Sequence, residues 1–236
     1  MCIRDSYNIK NKKIFVIPLG IPIVAEKSKV DLKTSDKKII LFYGFVAPGK
    51  GLEELVEAFS YVNMLHPNTL LVIIGGIRSE DLKYFQYLKK IIVEKRLQNR
   101  IVFTGFLPKS KLLEYLFSAD VIVLPYVETS VLGSSEALAE IASIGKPVIA
   151  TKTPKFLELL RDGDNSILIN PGDVKQLTEA IMKILSDKLL AQRIANNLRR
   201  DALARSWEKI GQKTVKVYKD VIGVISNGKS SEKGYL

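Results

Sequence analysis

A lysine set between glycines and two glutamates four residues apart are the side chains of this chain best placed to do chemistry. Lys50 stands in Gly44-Phe-Val-Ala-Pro-Gly-Lys-Gly51. There Gly49 and Gly51 let backbone approach a ligand, and Lys50 adds a point charge beside a helix N-terminus. That combination suits a diphosphate, although the spacing is neither a Walker A loop nor the dinucleotide fingerprint. The second feature is Leu-Gly-Ser-Ser-Glu-Ala-Leu-Ala-Glu-Ile-Ala-Ser-Ile-Gly-Lys-Pro-Val-Ile-Ala over residues 132–150. Its spacing predicts a helix opened by Gly133, Ser134 and Ser135 and ended at Gly145, with Glu136 and Glu140 on one face. A first turn of small residues offers free N–H groups and partial positive charge to an anion. A carboxylate one or two turns further in accepts hydrogen bonds from hydroxyls. Phosphate at one end and sugar hydroxyls at the other is the ligand such a layout fits.

Plainer roles stand beside these. The first loop also reads as a glycine turn with an incidental lysine, and helical glutamates commonly face water. Glu140, with Leu138, Ile141 and Ile144 around it, is expected near the buried boundary of its helix. Glu128 and Thr129 follow Pro125-Tyr126, where a sugar would reach them. Glu158, after Thr151-Lys-Thr-Pro154, is expected to start another helix, with capping as its plainer role. His66 ends the first helix before Pro67, away from these features, and receives no chemistry.

The elements that must position these residues follow a regular pattern. Continuously apolar strands are predicted at Ile39–Phe45, Leu70–Ile74, Ile101–Phe103, Val121–Leu124 and Val148–Ala150, with a weaker one at Ile167–Ile169; such runs fit strands buried on both faces. Helices are predicted near 52–65, 80–97, 109–118 and 134–144. Residues 173–226 read as helical, with Asp173 as an N-cap. Strand–helix alternation gives an α/β fold, a doubly wound parallel sheet of Rossmann-like type with C-terminal helices. Ligands of such sheets sit at the carboxyl ends of the strands. Those ends are Gly44–Gly51, Gly75–Arg78, Gly105–Pro108, Pro125–Ser135 and Thr151–Glu158, and the suggestive residues all fall there. Upstream, Lys13–Pro18 reads as a short strand, Leu19–Pro22 as a turn and Val24–Lys38 as a polar linker. The expected organisation is an N-terminal remnant and linker over 1–38, a ligand-binding domain over 39–226, and a disordered tail over 227–236.

Composition narrows the classes. In 236 residues, 47% hydrophobic content is ample for a core. Apolar runs such as Leu70–Gly76 fall far short of the ~20 residues of a membrane span. No apolar signal-peptide core follows the N-terminus. A single cysteine, Cys2, excludes an internal disulfide framework and fits a reducing cytosol. With one histidine besides, no structural metal is expected. The net charge of +11 is uneven: residues 1–38 hold nine Lys/Arg against four Asp/Glu, and residues 186–236 hold eleven against five. Residues 39–185, with sixteen of each, are neutral and do not make a nucleic-acid groove. The basic ends read as solvated faces and linker, or as attraction to an anionic membrane surface or acidic partner.

From about Ile39 to Val221 the chain resembles the donor-binding C-terminal domain of the family 4 retaining glycosyltransferases, within the two-domain GT-B fold. The pieces occur in the family's order: Phe-Tyr-Gly…Lys50-Gly51-Leu52; Ile-Ile-Gly-Gly76; Val-Phe-Thr-Gly105-Phe; Ala-Asp120-Val-Ile-Val-Leu-Pro125; Glu140…Gly145-Lys-Pro-Val-Ile-Ala-Thr; Glu158…Asp162-Gly163-Asp-Asn; Pro171-Gly-Asp; and Ser206-Trp207. The resemblance implies hexosyl transfer from a nucleotide sugar, with retention, to a glycan or lipid-linked acceptor. Lys50 would hold the donor diphosphate and Glu140 the ribose. Lys50 and the Gly133–Ser135 helix start would stabilise the leaving nucleoside diphosphate electrostatically, without metal or other cofactor. Gly105, Phe106 and Leu107 would line the base through backbone contacts.

Departures accompany the match. The family often pairs two glutamates eight apart, the second five residues before the Gly of Gly-Lys-Pro; that rule selects Glu140 and puts Leu132 at the first position. Phe45, Val46 and Ala47 stand where a basic residue often precedes the lysine. The acceptor-binding N-terminal domain is expected to be missing, so this chain should bind donor and perform little transfer. The other classes weighed are a non-catalytic nucleotide-sugar-binding subunit of the same fold, a sugar-nucleotide epimerase, and a nucleic-acid binder, the last disfavoured by the neutral core. A cytoplasmic location is expected, with peripheral contact at the inner membrane face through the basic ends.

Overall fold

Six apolar segments pair into one parallel sheet: β1 (Lys38–Tyr43), β2 (Thr69–Ile74), β3 (Ile101–Gly105), β4 (Val121–Leu124), β5 (Val148–Thr151) and β6 (Ile167–Ile169). The computed structural model describes residues 15–24, 37–128 and 134–228. Strand order is β3-β2-β1-β4-β5-β6. The order reverses between β1 and β4, which pair from Ile40↔Val121 to Phe42↔Val123. At that reversal the chain leaves one strand toward each face, so a crevice opens at the carboxyl ends of β1 and β4. Ile40, Leu41, Phe42, Ile122 and Val123 are wholly buried. Helices cover both faces, which is why these strands are apolar throughout rather than alternating.

The helices are α1 (Leu52–Leu65), α2 (Leu82–Glu94), α3 (Lys109–Ser118), α4 (Glu136–Ala142), α5 (Pro154–Leu157), α6 (Val174–Ser186), α7 (Lys188–Ala204) and α8 (Trp207–Gly228). Apolar residues at helical spacing direct the packing. Leu52, Leu55, Val56, Phe59 and Val62 bury one face of α1, and Leu177, Ile181 and Ile184 do so for α6, which packs against α1. Caps fix two starts. Asp173 accepts the Gln176 N–H at 2.9 Å, and Asp187 accepts that of Leu190 at 2.9 Å. Among the described residues no helix is long and apolar enough to cross a membrane.

Several boundaries differ from expectation for local reasons. The Ser135 hydroxyl accepts the Leu138 N–H at 3.2 Å, so α4 begins at Glu136, after its cap, and Ser134 and Ser135 precede the helix. Glu158 does not start a helix; it follows the one turn of α5 that Pro154 opens, because proline is preorganised for the first helical position. The segment near 80–97 divides into a tight turn at Ser79–Asp81 and α2, and it ends before Arg96, which has φ 56°. Phe15–Pro18 form no strand, while Lys13 and Ile14 lie outside the described residues. The segment is held further on: Ile21 N–H donates to Arg205 O at 2.8 Å, and the Ser143 hydroxyl donates to Pro22 O at 2.8 Å. Helix α8 continues through Gly228, so residues 227 and 228 are helical rather than tail.

Candidate functional site

Two loop-to-loop approaches shape the crevice. A Cβ at Gly75 would overlap the Gly44 carbonyl oxygen, and one at Gly51 would overlap that of Pro125. Both glycines also have positive φ, 153° and 71°. The exits of β1, β2 and β4 therefore lie backbone against backbone. Above them opens a cleft of about 910 Å³ lined by Tyr43, Gly44, Phe45, Lys50, Gly75, Gly76, Phe106, Tyr126, Ser134, Ser135, Glu136, Ala137, Ala139, Glu140 and Lys155. Leu19, Gly20, Pro22 and Trp207 line it as well, with Gly20 packed against the Trp207 ring. A cavity of this size takes a small molecule.

Lys50, in the loop after β1, and Glu140, on α4, both line this cleft. Lys50 is half-buried at the start of α1, and its ammonium sits 4.1 Å from the centroid of the Tyr126 ring. Burial, then the nearby charges of Lys155 and Arg78, lower the Lys50 pKa, while Glu128 opposes them. The ring is itself fixed. The Thr151 hydroxyl donates to Tyr126 O at 2.7 Å, and the ring packs on Phe156 at 5.0 Å. Burial pushes the Tyr126 phenol up to about 12, so it stays protonated at neutral pH.

Glu140 is held from two sides. Lys109, at the start of α3, donates to one oxygen at 2.6 Å, and the Tyr43 hydroxyl donates to the other. Burial alone would raise the Glu140 carboxyl, but these bonds outweigh it and hold the pKa low. The same contact works oppositely on Tyr43, whose phenol is raised first by burial and then by Glu140. The carboxylate is thus ionised and oriented at neutral pH. It offers about four lone-pair directions, so two remain for hydroxyl donors.

The remaining predicted site residues are distributed as follows. Ser134 and Ser135 line the cleft with exposed Glu136, and the Ser134 hydroxyl donates to Glu158 at 2.9 Å. Glu158 also pairs with Arg205 at 3.3 Å, which ties α5 to the α7–α8 junction. Gly49 lies against Glu128, whose N–H donates to Gly49 O at 3.3 Å. Phe106 reaches the cleft at 85% exposure, whereas Gly105 and Leu107 are not among its lining residues and Leu107 packs on the core. Thr129 and Gly133 lie outside the described residues, as does Leu132. Phe45 carries the Arg78 guanidinium 4.7 Å from its ring centroid, and Arg78 in turn meets Glu80 at 3.5 Å and Asp81 at 4.0 Å. Among the described residues no three His, Cys, Asp or Glu side chains gather as a metal site would require.

Sequence reasoning missed Tyr43, Lys109, Tyr126 and Lys155. An aromatic at the end of a buried strand was a signal for Tyr43. Lys109 meets Glu140 across 31 positions of sequence, and local pattern carries no trace of that pairing.

This strand order, with its cleft at the reversal and helices after the last strand, defines the Rossmann-like domain of the GT-B fold. Solved structures agree. A glycosyltransferase from Rickettsia africae superposes with TM-score 0.79 at 22% identity, covering 93% of this chain and 60% of that one. Anabaena HepE in complex with UDP gives 0.73 at 23% identity, covering 80% and 50%. The C-terminal domain of LpcC from Francisella tularensis gives 0.67 at 23%, covering 78% of this chain and 95% of that one. At these identities the likeness shows the fold alone. The family described as Glycosyl transferases group 1 matches residues 24–201. An uncharacterized glycosyltransferase of Methanocaldococcus jannaschii is 32% identical over 186 residues, 78% of this chain and 45% of that protein. The chain belongs to the group 1 glycosyltransferase family. It is also similar to the alpha-D-kanosaminyltransferase of Streptomyces kanamyceticus, at 25% over 190 residues, 79% of this chain and 46% of that one. The chain spans about half the length of the curated relatives it matches.

Proposed function

We propose that this chain is the donor-binding half of a retaining, family 4 hexosyltransferase, taking a nucleotide sugar as substrate and serving a glycan or lipid-linked acceptor. The observation that carries the reading is that Lys50 and Glu140, from opposite sides of the strand-order reversal, line one cleft. A nucleoside diphosphate-sugar needs a cation for its phosphates and an oriented acceptor for its ribose hydroxyls. Lys50, fixed on the Tyr126 face, supplies the first. Glu140, ionised and held by Tyr43 and Lys109, supplies the second.

As the bond between the sugar's anomeric carbon and the diphosphate breaks, negative charge collects on the departing phosphate. A half-buried ammonium stabilises that charge more strongly than one in open water, and it is in place before the bond breaks. Phe106, exposed in the lining of the cleft, would lie beside the base. Among similar proteins, HepE was crystallised with UDP and with UDP-glucose, which fits a nucleotide sugar here. A second reading, a donor-binding subunit without turnover, is favoured by Phe45 standing where the family often has a basic residue.

Calorimetric titration of the chain with UDP-, GDP- and ADP-sugars tests the proposal. One series is expected to bind, with affinity reduced at least about tenfold, roughly 1.4 kcal/mol, by Lys50→Ala and by Glu140→Ala. Absence of binding to all three, or affinity indifferent to both substitutions, would overturn it.

A further inference from the structure

We propose that Lys155 is a second phosphate-binding cation of this cleft, acting with Lys50 on one diphosphate. The inference rests on the donor-site reading above and assigns a residue which that reading does not use.

Lys155 lies in the one-turn helix after β5 and lines the same cleft as Lys50. The two ammonium groups share one aromatic ring: the Lys155 nitrogen is 5.6 Å from the Tyr126 centroid, and that of Lys50 is 4.1 Å away. Neighbouring cations are each matched to a carboxylate. Lys109 pairs with Glu140, Lys152 with Asp162, Arg205 with Glu158, and Arg78 with Glu80 and Asp81. Among the described residues neither Lys50 nor Lys155 forms such a pair. Two half-buried like charges beside one ring repel each other, and Lys155 is the largest charge acting against protonation of Lys50. An anion bound between them turns that repulsion into attraction for both.

The loop before Lys50 supplies no other candidate, since Phe45, Val46 and Ala47 carry no charge. Arg78 reaches Phe45, but its charge is met by two acidic neighbours. Among the described residues Lys155 is therefore the cation left to complete a diphosphate site, and it comes from the β5 exit rather than from the β1 loop.

The test titrates the full 236-residue chain with inorganic pyrophosphate, UDP and uridine by calorimetry, for the parent, Lys155→Met, Lys155→Arg and Lys50→Met. Lys155→Met is expected to weaken pyrophosphate and UDP about tenfold. Lys155→Arg, which keeps the charge, should stay within about threefold, and uridine should be indifferent. Lys155→Met should also raise the Lys50 ammonium pKa, followed by NMR of its side chain. Should Lys155→Met bind pyrophosphate and UDP like the parent while Lys50→Met loses them, Lys155 has no such role and the donor-site reading survives. If the parent binds pyrophosphate in a Lys155-dependent manner but binds no nucleotide sugar, the cation pair stands and the donor-site reading falls. Absence of pyrophosphate binding by the parent would overturn the pair.

Discussion

Replacing Tyr43 with Phe removes one hydroxyl and keeps the ring that ends β1. The lost interaction is its donation to Glu140, whose other oxygen retains Lys109 at 2.6 Å. A hydrogen bond to a charged group contributes about 1.5–3 kcal/mol. The Glu140 side chain is 29% exposed, so solvent screening brings the expected loss down to about 1 kcal/mol. In a domain of this size that is about 2–4 °C in Tm. The pH dependence has a definite sign. The Glu140 carboxyl is lower in the folded state, so its contribution is complete above the unfolded value of about 4.3 and is lost as pH falls through the folded one. The deficit of Tyr43→Phe is therefore largest at neutral pH and shrinks on acidification. Urea unfolding followed by circular dichroism at about pH 7 and about pH 3.5 measures both quantities. Equal stability of the two proteins at neutral pH, or a deficit that grows as the solution is acidified, would refute the reasoning.

Two further substitutions probe the scaffold beneath the site. Gly51→Ala places a Cβ on the Pro125 carbonyl at φ 71°; backbone rather than a flexible side chain must yield, so about 3 kcal/mol of stability is expected to disappear, read as a lower urea midpoint. An unchanged midpoint would mean that the loops do not meet there. Asn165→Ala leaves Arg161 N–H and Leu159 C=O without the partners that Asn165 now gives them at 2.7 and 3.0 Å, and removes its donation to Asp201 at 2.8 Å. Asn165 is wholly buried, so a loss of about 3 kcal/mol is expected in the same assay, and a change under about 1 kcal/mol would contradict the pairing.

The sheet was legible in the sequence because burial on both faces leaves a signature that needs no partner. Ile39–Tyr43, Leu70–Ile74 and Val121–Leu124 are apolar without alternation, and the structure pairs all three. The sequence predicts α4 to start near Ser134, two residues early, because a serine cap and a serine in a first turn look alike until Ser135 is seen to hold the Leu138 N–H. The sequence predicts a helix starting at Glu158, yet α5 begins at Pro154 and lasts only to Leu157. The site was half legible. Lys50 stands out by its glycine spacing and Glu140 by its place four residues after Glu136 on one helix, while the Gly-Lys-Pro rule that selects Glu140 comes from the family resemblance. What holds them was not legible, since Tyr126 reaches Lys50, and Tyr43 and Lys109 reach Glu140, from elements distant in sequence. Those contacts depend on strand order, and strand order is a tertiary property.

A crystal structure of the chain bound to the nucleoside diphosphate it prefers tests the central claim most directly. The account predicts phosphate oxygens within hydrogen-bond reach of Lys50 and a ribose hydroxyl on Glu140, both inside the crevice between the ends of β1 and β4. Nucleotide seated elsewhere on the molecule, or touching only one of those two side chains, would contradict it.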